Sequence, residues 1–131
     1  MVLVDYSVWL RFLADQSPWA AELDRLLSLD VAVGHELVLG ELLIGYRSGD
    51  ERSGRGRLLA DYSRMLSVPT VAHAEVVEFV RARRLHGRGV GWIDIHLLAA
   101  AVVAGVRLWT VDERLAGFAR ELGVAWTVSA V

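Results

Sequence analysis

The chain has 131 residues, 54% of them hydrophobic, with a formal net charge of −2 at pH 7 and no cysteine. Its length predicts a single domain over residues 1–131, and the lack of cysteine excludes disulfides and thiolate-bound zinc. No run reaches the roughly 18 apolar residues of a membrane span, and the start lacks the features of a signal peptide, so we expect a cytoplasmic location.

Short apolar runs alternate with amphipathic segments along the chain. The apolar runs predict buried strands at residues 1–5, 31–33, 67–71, 106–111 and 124–128. Apolar residues at helical spacing predict helices over residues 8–14, 18–29, 36–46, 57–66, 72–86, 92–105 and 112–123. Ser7 is a possible N-cap of the first helix, and Pro69 gives the third strand the character of an edge strand. The helix over 92–105 has almost no polar face and should be central.

Strands that alternate with helices predict an α/β fold, with a mainly parallel sheet covered by helices on both faces. Two glycine-rich segments, 47–56 and 87–91, read as exposed loops. In open parallel sheets, ligands collect outside the carboxyl ends of the strands. A functional site is therefore expected along that rim.

Four acidic residues, Asp5, Glu41, Asp94 and Asp112, each lie within an otherwise apolar run. Carboxylates are seldom buried alone, because removing their charge from water costs several kcal/mol. Asp5 and Asp112 end predicted strands, and Asp94 lies in the first turn of a predicted helix. These three should therefore meet at one rim of the sheet. Glu41 lies in the middle of a helix and is the least constrained of the four.

The four acids need a partner, yet the chain contains no Lys, and no Arg recurs beside all of them. Two carboxylates about 4 Å apart repel by roughly 4 kcal/mol at an effective dielectric of about 20, so a cluster would share protons or hold a cation. An all-oxygen ligand set favours Mg²⁺ or Mn²⁺. Local explanations stay open: Asp5 and Asp112 as helix N-caps, Asp94 at a helix dipole and Glu41 paired with an Arg.

All 14 basic residues are arginines, and seven of them lie in or beside the two glycine-rich segments. These are Arg47, Arg52, Arg55 and Arg57 in the first cluster, and Arg83, Arg84 and Arg88 in the second. Arg binds phosphate bidentately, so arginine clusters around an acidic centre suit a nucleic-acid backbone. The alternative is that these arginines are solvated loop residues.

The four acidic motifs together resemble those of the PIN-domain nucleases and, within them, the VapC toxins of bacterial toxin–antitoxin pairs. The resemblance covers essentially the full length and depends on the blocks VLVDYSVW, GELLIG, HGRGVGWIDIHLLAAA and LWTVDERLAGFARELG. Tyr6 stands where such proteins often carry Thr, and Leu115 where many carry Phe. Neither departure affects the acids.

This resemblance implies a PIN-like three-layer α/β/α sandwich and an endoribonuclease that uses Mg²⁺ or Mn²⁺. By motif, Asp5, Glu41, Asp94 and Asp112 would be both the catalytic residues and the metal ligands. Asp5 and Asp94 are expected to bind directly, with the other two completing the site directly or through water.

Several other side chains near these motifs are candidates for substrate contact. The hydroxyls of Ser7 and Thr110 could orient a carboxylate or a water, although capping and strand propensity explain them equally well. Arg88 and His86 precede Asp94 and could contact the scissile phosphate.

The aromatic residues and remaining histidines are mostly expected to be structural. Trp9 and Trp92 lie close to Asp5 and Asp94 in the sequence, so base stacking by one of them is possible, although a core position is favoured. His96 is expected in the core or an interface, and His35 and His73 are read as structural.

The resemblance also implies partners: an RNA substrate, a cognate VapB-like antitoxin and a second copy in a homodimer, with higher heteromers when the antitoxin binds. The apolar excess of the sequence fits such interfaces, and the helices around residues 8–13 and 37–44 are candidates for the antitoxin groove. The implied toxin would cleave transfer or ribosomal RNA and inhibit translation. Alternatives are a housekeeping PIN ribonuclease and a catalytically silent PIN binding module. A magnesium phosphatase is disfavoured, since Ser7 stands where its second Asp would be required.

Overall fold

The computed structural model describes residues 1–47 and 54–128. Its elements in chain order are β1 (Val2–Val4), α1 (Tyr6–Leu13), α2 (Trp19–Ser28), β2 (Ala32–Val33), α3 (Glu36–Ile44), α4 (Gly54–Tyr62), α5 (His73–Ala82), α6 (Trp92–Ala104), β3 (Arg107–Trp109) and α7 (Glu113–Glu121). None of the helices within these two ranges is long and apolar enough to cross a membrane.

Strand β1 is the centre of a parallel sheet with the order β2–β1–β3. Its residues Val2 and Leu3 pair with Ala32 and Val33 on one side, and the whole strand pairs with β3 on the other. All three residues of β1 are buried. Because successive strand side chains point to opposite faces, both faces of the sheet are covered. The predicted α/β fold with a short parallel sheet is confirmed.

The predicted strand over 67–71 is wrong in its extent. Only Ser67 pairs with the sheet, in a parallel bridge to Gly34 beyond the end of β2. Pro69 lacks the backbone N–H that a continued ladder would need, so pairing ends before it.

The predicted strand over 124–128 is also reduced to one bridge, between Ala125 and Leu108. The backbone of Leu108 donates to Val124 and accepts from Trp126, at 2.7 and 2.9 Å. Strand β3 is only three residues long, so it offers this edge little to pair with.

Two predicted helix starts are corrected. Helix α1 begins at Tyr6, and its N-cap is Asp5 rather than Ser7, because Oδ1 of Asp5 accepts the Tyr6 N–H at 2.8 Å. Helix α4 begins at Gly54, inside the segment predicted as a loop. Packing of its apolar side on the core overrides the low helix propensity of its glycines.

Helix α6 is the buried central helix that the sequence predicted. Every residue from Ile95 to Ala101 is buried. Gly105 follows the helix with φ 68°, a left-handed conformation that favours glycine. The burial of α6 fixes its first turn, which contains Asp94, relative to the sheet.

Candidate active site

Asp5 lies at the carboxyl end of β1 and is only 5% exposed. Its Oδ1 accepts the N–H of Tyr6, and its Oδ2 accepts the hydroxyls of Ser7 and Thr110 at 2.8 and 2.7 Å. Its backbone N–H donates to the carbonyl of Trp109 at 2.9 Å. These bonds hold a buried carboxylate in one orientation, as buried polar groups require.

The two hydroxyls that contact Asp5 are themselves held by the backbone after β3. The Val111 N–H donates to Ser7 Oγ, and the Asp112 N–H donates to Thr110 Oγ1, both at 3.0 Å. Because an ionised carboxylate can only accept hydrogen bonds, each hydroxyl donates its hydrogen to Asp5 while its oxygen accepts a backbone N–H. Ser7 and Thr110 therefore join the ends of β1 and β3 through one carboxylate.

Asp112 and Asp94 approach the rim from two helix starts. Asp112 is exposed and caps α7, with its Oδ1 accepting the Leu115 N–H at 2.9 Å. Asp94 is half-buried in the first turn of α6. Asp5 and Asp112 are thus helix N-caps, as one alternative proposed. Each cap uses only one oxygen of the carboxylate.

Glu41 lies in the middle of α3 and is half-buried. Its Oε1 is buried and, among the described residues, has no hydrogen-bond partner. Burial, followed by the charges of Asp5 and Asp94, raises the pKa of Glu41 to about 7. Glu41 therefore belongs to the same electrostatic cluster, although its mid-helix position alone did not require this.

Asp94 is coupled electrostatically to Asp5 and also to Asp112. Burial, followed by the charges of Asp5 and Asp112, raises the pKa of Asp94 to about 6. The salt bridges within residues 1–47 and 54–128 join arginines to Glu22, Asp61 and Glu121. Within these ranges, therefore, no Arg forms a salt bridge with any of the four acids. The alternative that Glu41 pairs with an Arg is wrong for this part of the chain.

The four carboxylates are neighbours but do not form a closed ligand shell. Among the described residues, no three Asp, Glu or His side chains converge closely enough to chelate an ion as they stand. Mutual repulsion opposes closer approach of uncompensated carboxylates.

Two clefts border Asp112. One, of about 310 Å³, is lined by Asp94, Asp112 and Arg114 together with Gly89, Val90, Glu113 and Leu115. The other, of about 420 Å³, is lined by Ser7, Leu10, Arg11, Gln16, Val111 and Asp112. Asp112 is therefore open to a ligand from two sides, and Asp94 from one.

Arg88 is not placed at the acids. Its guanidinium donates two hydrogen bonds to Glu121, at 3.1 and 2.9 Å, and lies 4.5 Å from the ring centre of Phe118. His86 is exposed. Both remain predictions as substrate contacts.

Of the clustered arginines, Arg55 lies near the helix that carries Glu41, whereas Arg83 packs on an aromatic ring. A side chain at Gly45, one turn after Glu41, would meet the Arg55 guanidinium and the Tyr6 hydroxyl, so Arg55 lies against this end of α3. Arg83 stacks on Phe79, 4.5 Å from its ring centre. Arg52 lies outside the described residues.

Trp9 is fully buried and lies in the core, so base stacking by it is excluded in this conformation. Trp92 is 45% exposed in the first turn of α6, with its ring centre 5.0 Å from that of His96 and 5.4 Å from that of His73. His96 is buried, as predicted, and His35 caps α3 by accepting the Leu37 N–H at 3.0 Å.

Sequence reasoning missed Arg114, which lines the same cleft as Asp94 and Asp112. Its Nη1 donates to the carbonyl of Gly89 at 3.0 Å. A signal was available in the sequence, since Arg114 follows the Asp112 cap within the first turn of α7, where the helix dipole disfavours a cation.

A short parallel sheet with Asp5 and Asp112 after two of its strands, and with Asp94 and Glu41 coupled to them electrostatically, is the arrangement expected of the PIN class of α/β proteins. The PIN domain family model matches residues 2–121 of the chain. The chain is also 44% identical over 126 residues to Ribonuclease VapC32 of Mycobacterium tuberculosis, in strains CDC 1551 / Oshkosh and ATCC 25618 / H37Rv, covering 95% of each protein. The chain therefore belongs to the PIN-domain family and is of the VapC type.

Proposed function

We propose that this protein is a Mg²⁺- or Mn²⁺-dependent endoribonuclease and acts as the toxin of a type II toxin–antitoxin pair. The observation that carries the proposal is the electrostatic coupling of Asp5, Glu41, Asp94 and Asp112, none of which forms a salt bridge within the described residues. Its relative's name, Ribonuclease VapC32, supports the choice of RNA as substrate.

The residues fit a hard divalent cation. All four candidate ligands are carboxylates, the donors that Mg²⁺ and Mn²⁺ prefer, and Glu41 offers a buried oxygen without a partner among the described residues. Asp5 and Asp94 would bind directly, while Glu41 and Asp112 would bind directly or through water. A bound cation would neutralise phosphoryl oxygens and lower the pKa of a water molecule.

The side chains of this protein have separate tasks in that scheme. Asp5 is held rigidly by Ser7 and Thr110 and fixes the centre of the site. Glu41 presents a buried Oε1 with no partner among the described residues, and this oxygen would bind the cation or accept a proton from the attacking water. Asp112 stands between the two clefts, where an RNA strand would cross the acids.

The first test is metal dependence. The purified full-length chain should lose cleavage of total cellular RNA in excess chelator and regain it with Mg²⁺ or Mn²⁺. Sequencing of new 5′ ends should show few cuts, in single-stranded loops of transfer or ribosomal RNA, where bases can be splayed and read. Asp5→Ala protein prepared in parallel controls for contaminating nucleases. Equal cleavage with chelator, or equal cleavage by Asp5→Ala, would overturn the proposal.

Thr110→Val should impair cleavage without unfolding the protein. The variant keeps the side-chain shape but removes a hydrogen bond to Asp5 and the acceptor for the Asp112 N–H. Loss of a group that orients a ligand typically costs about 10- to 100-fold in activity. The measurement is kcat and KM on RNA beside the thermal unfolding midpoint.

The matched control is Thr127→Val, at an exposed Thr near the end of the described chain. If Thr110→Val cleaves RNA as fast as Thr127→Val, the hydroxyl does not position Asp5.

We propose an antitoxin as the protein partner and a homodimer as the free form. Leu10, Leu43 and Ile44 are exposed at 39%, 61% and 87%, and they lie on the two helices expected to form the antitoxin groove. Exposed apolar side chains of this kind suit a protein interface. A short antitoxin gene directly upstream would support the toxin assignment, and its absence would favour housekeeping RNA processing. Either RNA role would operate in the cytoplasm.

A further inference from the structure

The substrate of the proposed reaction is a polyanion, and the site also carries negative charge on its carboxylates. The two therefore repel each other. A cation among the acids would compensate charge at the attacked phosphate, but the neighbouring phosphates of the strand would still meet a negative surface. A guanidinium beside the acids would solve this, because Arg pairs with phosphate oxygens through a planar fork of donors.

Arg114 has the position that this role requires. It lines the cleft of about 310 Å³ together with Asp94 and Asp112. It is exposed, and within the described part of the chain it takes part in no salt bridge. Arg88, by contrast, forms a salt bridge with Glu121.

Gly89 sets the position of the Arg114 guanidinium. Its carbonyl accepts Nη1 of Arg114 at 3.0 Å, which anchors one edge of the guanidinium. Gly89 has φ +79°, and a Cβ there would fall 2.3 Å from Nη1 and 3.2 Å from Cζ. A side chain at residue 89 would therefore displace the guanidinium, so the glycine keeps this side of the cleft open to Arg114.

We propose that Arg114, anchored on Gly89, binds the RNA phosphate next to the one that is cleaved, on the side of Asp94 and Asp112. The inference rests on the proposed function, because it takes RNA as the ligand. The sequence suggested a phosphate contact for Arg88, and we assign that contact to Arg114 instead. Arg114 is thus a substrate-binding residue that determines where the strand lies across the acids.

The test measures binding rather than cleavage, using fluorescence anisotropy of a fluorescein-labelled, mixed-sequence 12-nucleotide RNA with Mg²⁺. All proteins carry Asp5→Asn, which should stop cleavage and does not alter a residue of the Arg114 cleft. Arg114→Gln should weaken binding by about 10- to 100-fold, the range for a hydrogen bond to a charged group. The slope of log affinity against log salt concentration should fall by about 0.7, the value for one phosphate contact to a single strand.

Arg107→Gln is the matched control. Arg107 is also exposed and also donates Nη1 to a glycine carbonyl, that of Gly123, at 3.0 Å. It lies at the amino end of β3, opposite the rim that carries the acids. Its loss removes the same charge and should leave the affinity within about twofold of the parent value.

A second pair of variants tests the anchor itself. Gly89→Ala should weaken binding as Arg114→Gln does, and the two changes together should be no worse than Arg114→Gln alone. Gly87→Ala provides the control, since Gly87 has φ +70° but no atom within 4 Å of its Cβ position. Both alanines carry a similar backbone strain, so a folding defect would affect both.

Arg114→Gln and Arg107→Gln with equal affinities and equal salt slopes would overturn the inference. That result would leave metal-dependent cleavage by the wild type untouched. Conversely, a wild type that never cleaves RNA would refute the proposed function, while the binding comparison would still decide whether Arg114 contacts RNA.

Discussion

Asp94→Asn is expected to lower kcat on RNA by on the order of 10²–10³-fold, the scale for loss of one preorganised electrostatic contact in an active site. The amide has nearly the same shape as the carboxylate but lacks the charge that would hold a cation. The same change should make the metal-free protein more stable at pH 8. Burial and the charges of Asp5 and Asp112 raise the pKa of Asp94 to about 6, so its ionised form is unfavourable in the folded state.

These opposite effects separate a functional role of Asp94 from a structural one. Steady-state cleavage and urea unfolding, both on the same preparations, measure them. Asp24→Asn, at an exposed residue of α2, serves as the control and should change neither quantity. An Asp94→Asn protein that is less stable and still active would show that Asp94 is a structural residue of α6.

The second large effect is on the pH dependence of stability in the absence of divalent metal. The pKa of Glu41 rises from an ordinary value of 4.5 to about 7, and that of Asp94 from 3.8 to about 6. The folded protein therefore binds protons more tightly than the unfolded chain between about pH 4 and 7. The stability from these protons is complete below pH 4 and is lost as the pH rises through 6 and 7.

After allowance for solvent screening of half-buried groups, Glu41 should contribute about 1–2 kcal/mol to this loss. Glu41→Gln removes the titrating group, so the variant should gain stability over wild type at pH 8 but little at pH 4.5. Burial lowers the pKa of His35 and His96, which acts in the opposite direction. The stability difference between the two proteins is therefore the quantity to compare, because the contributions of the histidines cancel in it.

Urea unfolding in chelator at pH 4.5 and 8 measures this difference, with Glu78→Gln on the exposed side of α5 as the control. Saturating Mg²⁺ should stabilise wild type more at pH 8 than at pH 5, because a cation binds the ionised carboxylates. A stability difference between wild type and Glu41→Gln that is the same at both pH values would show that Glu41 does not titrate in this range.

Much of this site was predictable because three acids occupy places that topology fixes. Asp5 directly after a buried strand and Asp94 in the first turn of a buried helix can only emerge at the carboxyl rim of a parallel sheet. Glu41 has no such constraint. Its place depends on how α3 packs, which local sequence does not encode.

The contacts that refine the site were beyond sequence reasoning because they join distant residues. The bond from Thr110 to Asp5 spans 105 positions and depends on the register between β1 and β3. The choice between Arg88 and Arg114 depends on Glu121, which forms a salt bridge with Arg88 and not with Arg114. Such contacts depend on the tertiary structure, and no local sequence pattern predicts them.

The edges of the sheet show a second limit of strand prediction from sequence. Residues 67–71 and 124–128 have strand-like composition, yet each makes a single bridge. Strand propensity largely reports packing on a pleated surface, and very short neighbouring strands leave little such surface.

The four acids are proposed to form one divalent-cation site. Crystals of the full-length chain soaked in Mn²⁺, with diffraction recorded at an energy where manganese scatters anomalously, test it most directly. We expect an anomalous peak within about 2.0–2.6 Å of carboxylate oxygens of Asp5 and Asp94, the range for hard divalent cations, and no peak there in Asp94→Asn crystals. A fully soaked wild-type crystal with no peak between these carboxylates, or with manganese only elsewhere, would contradict it.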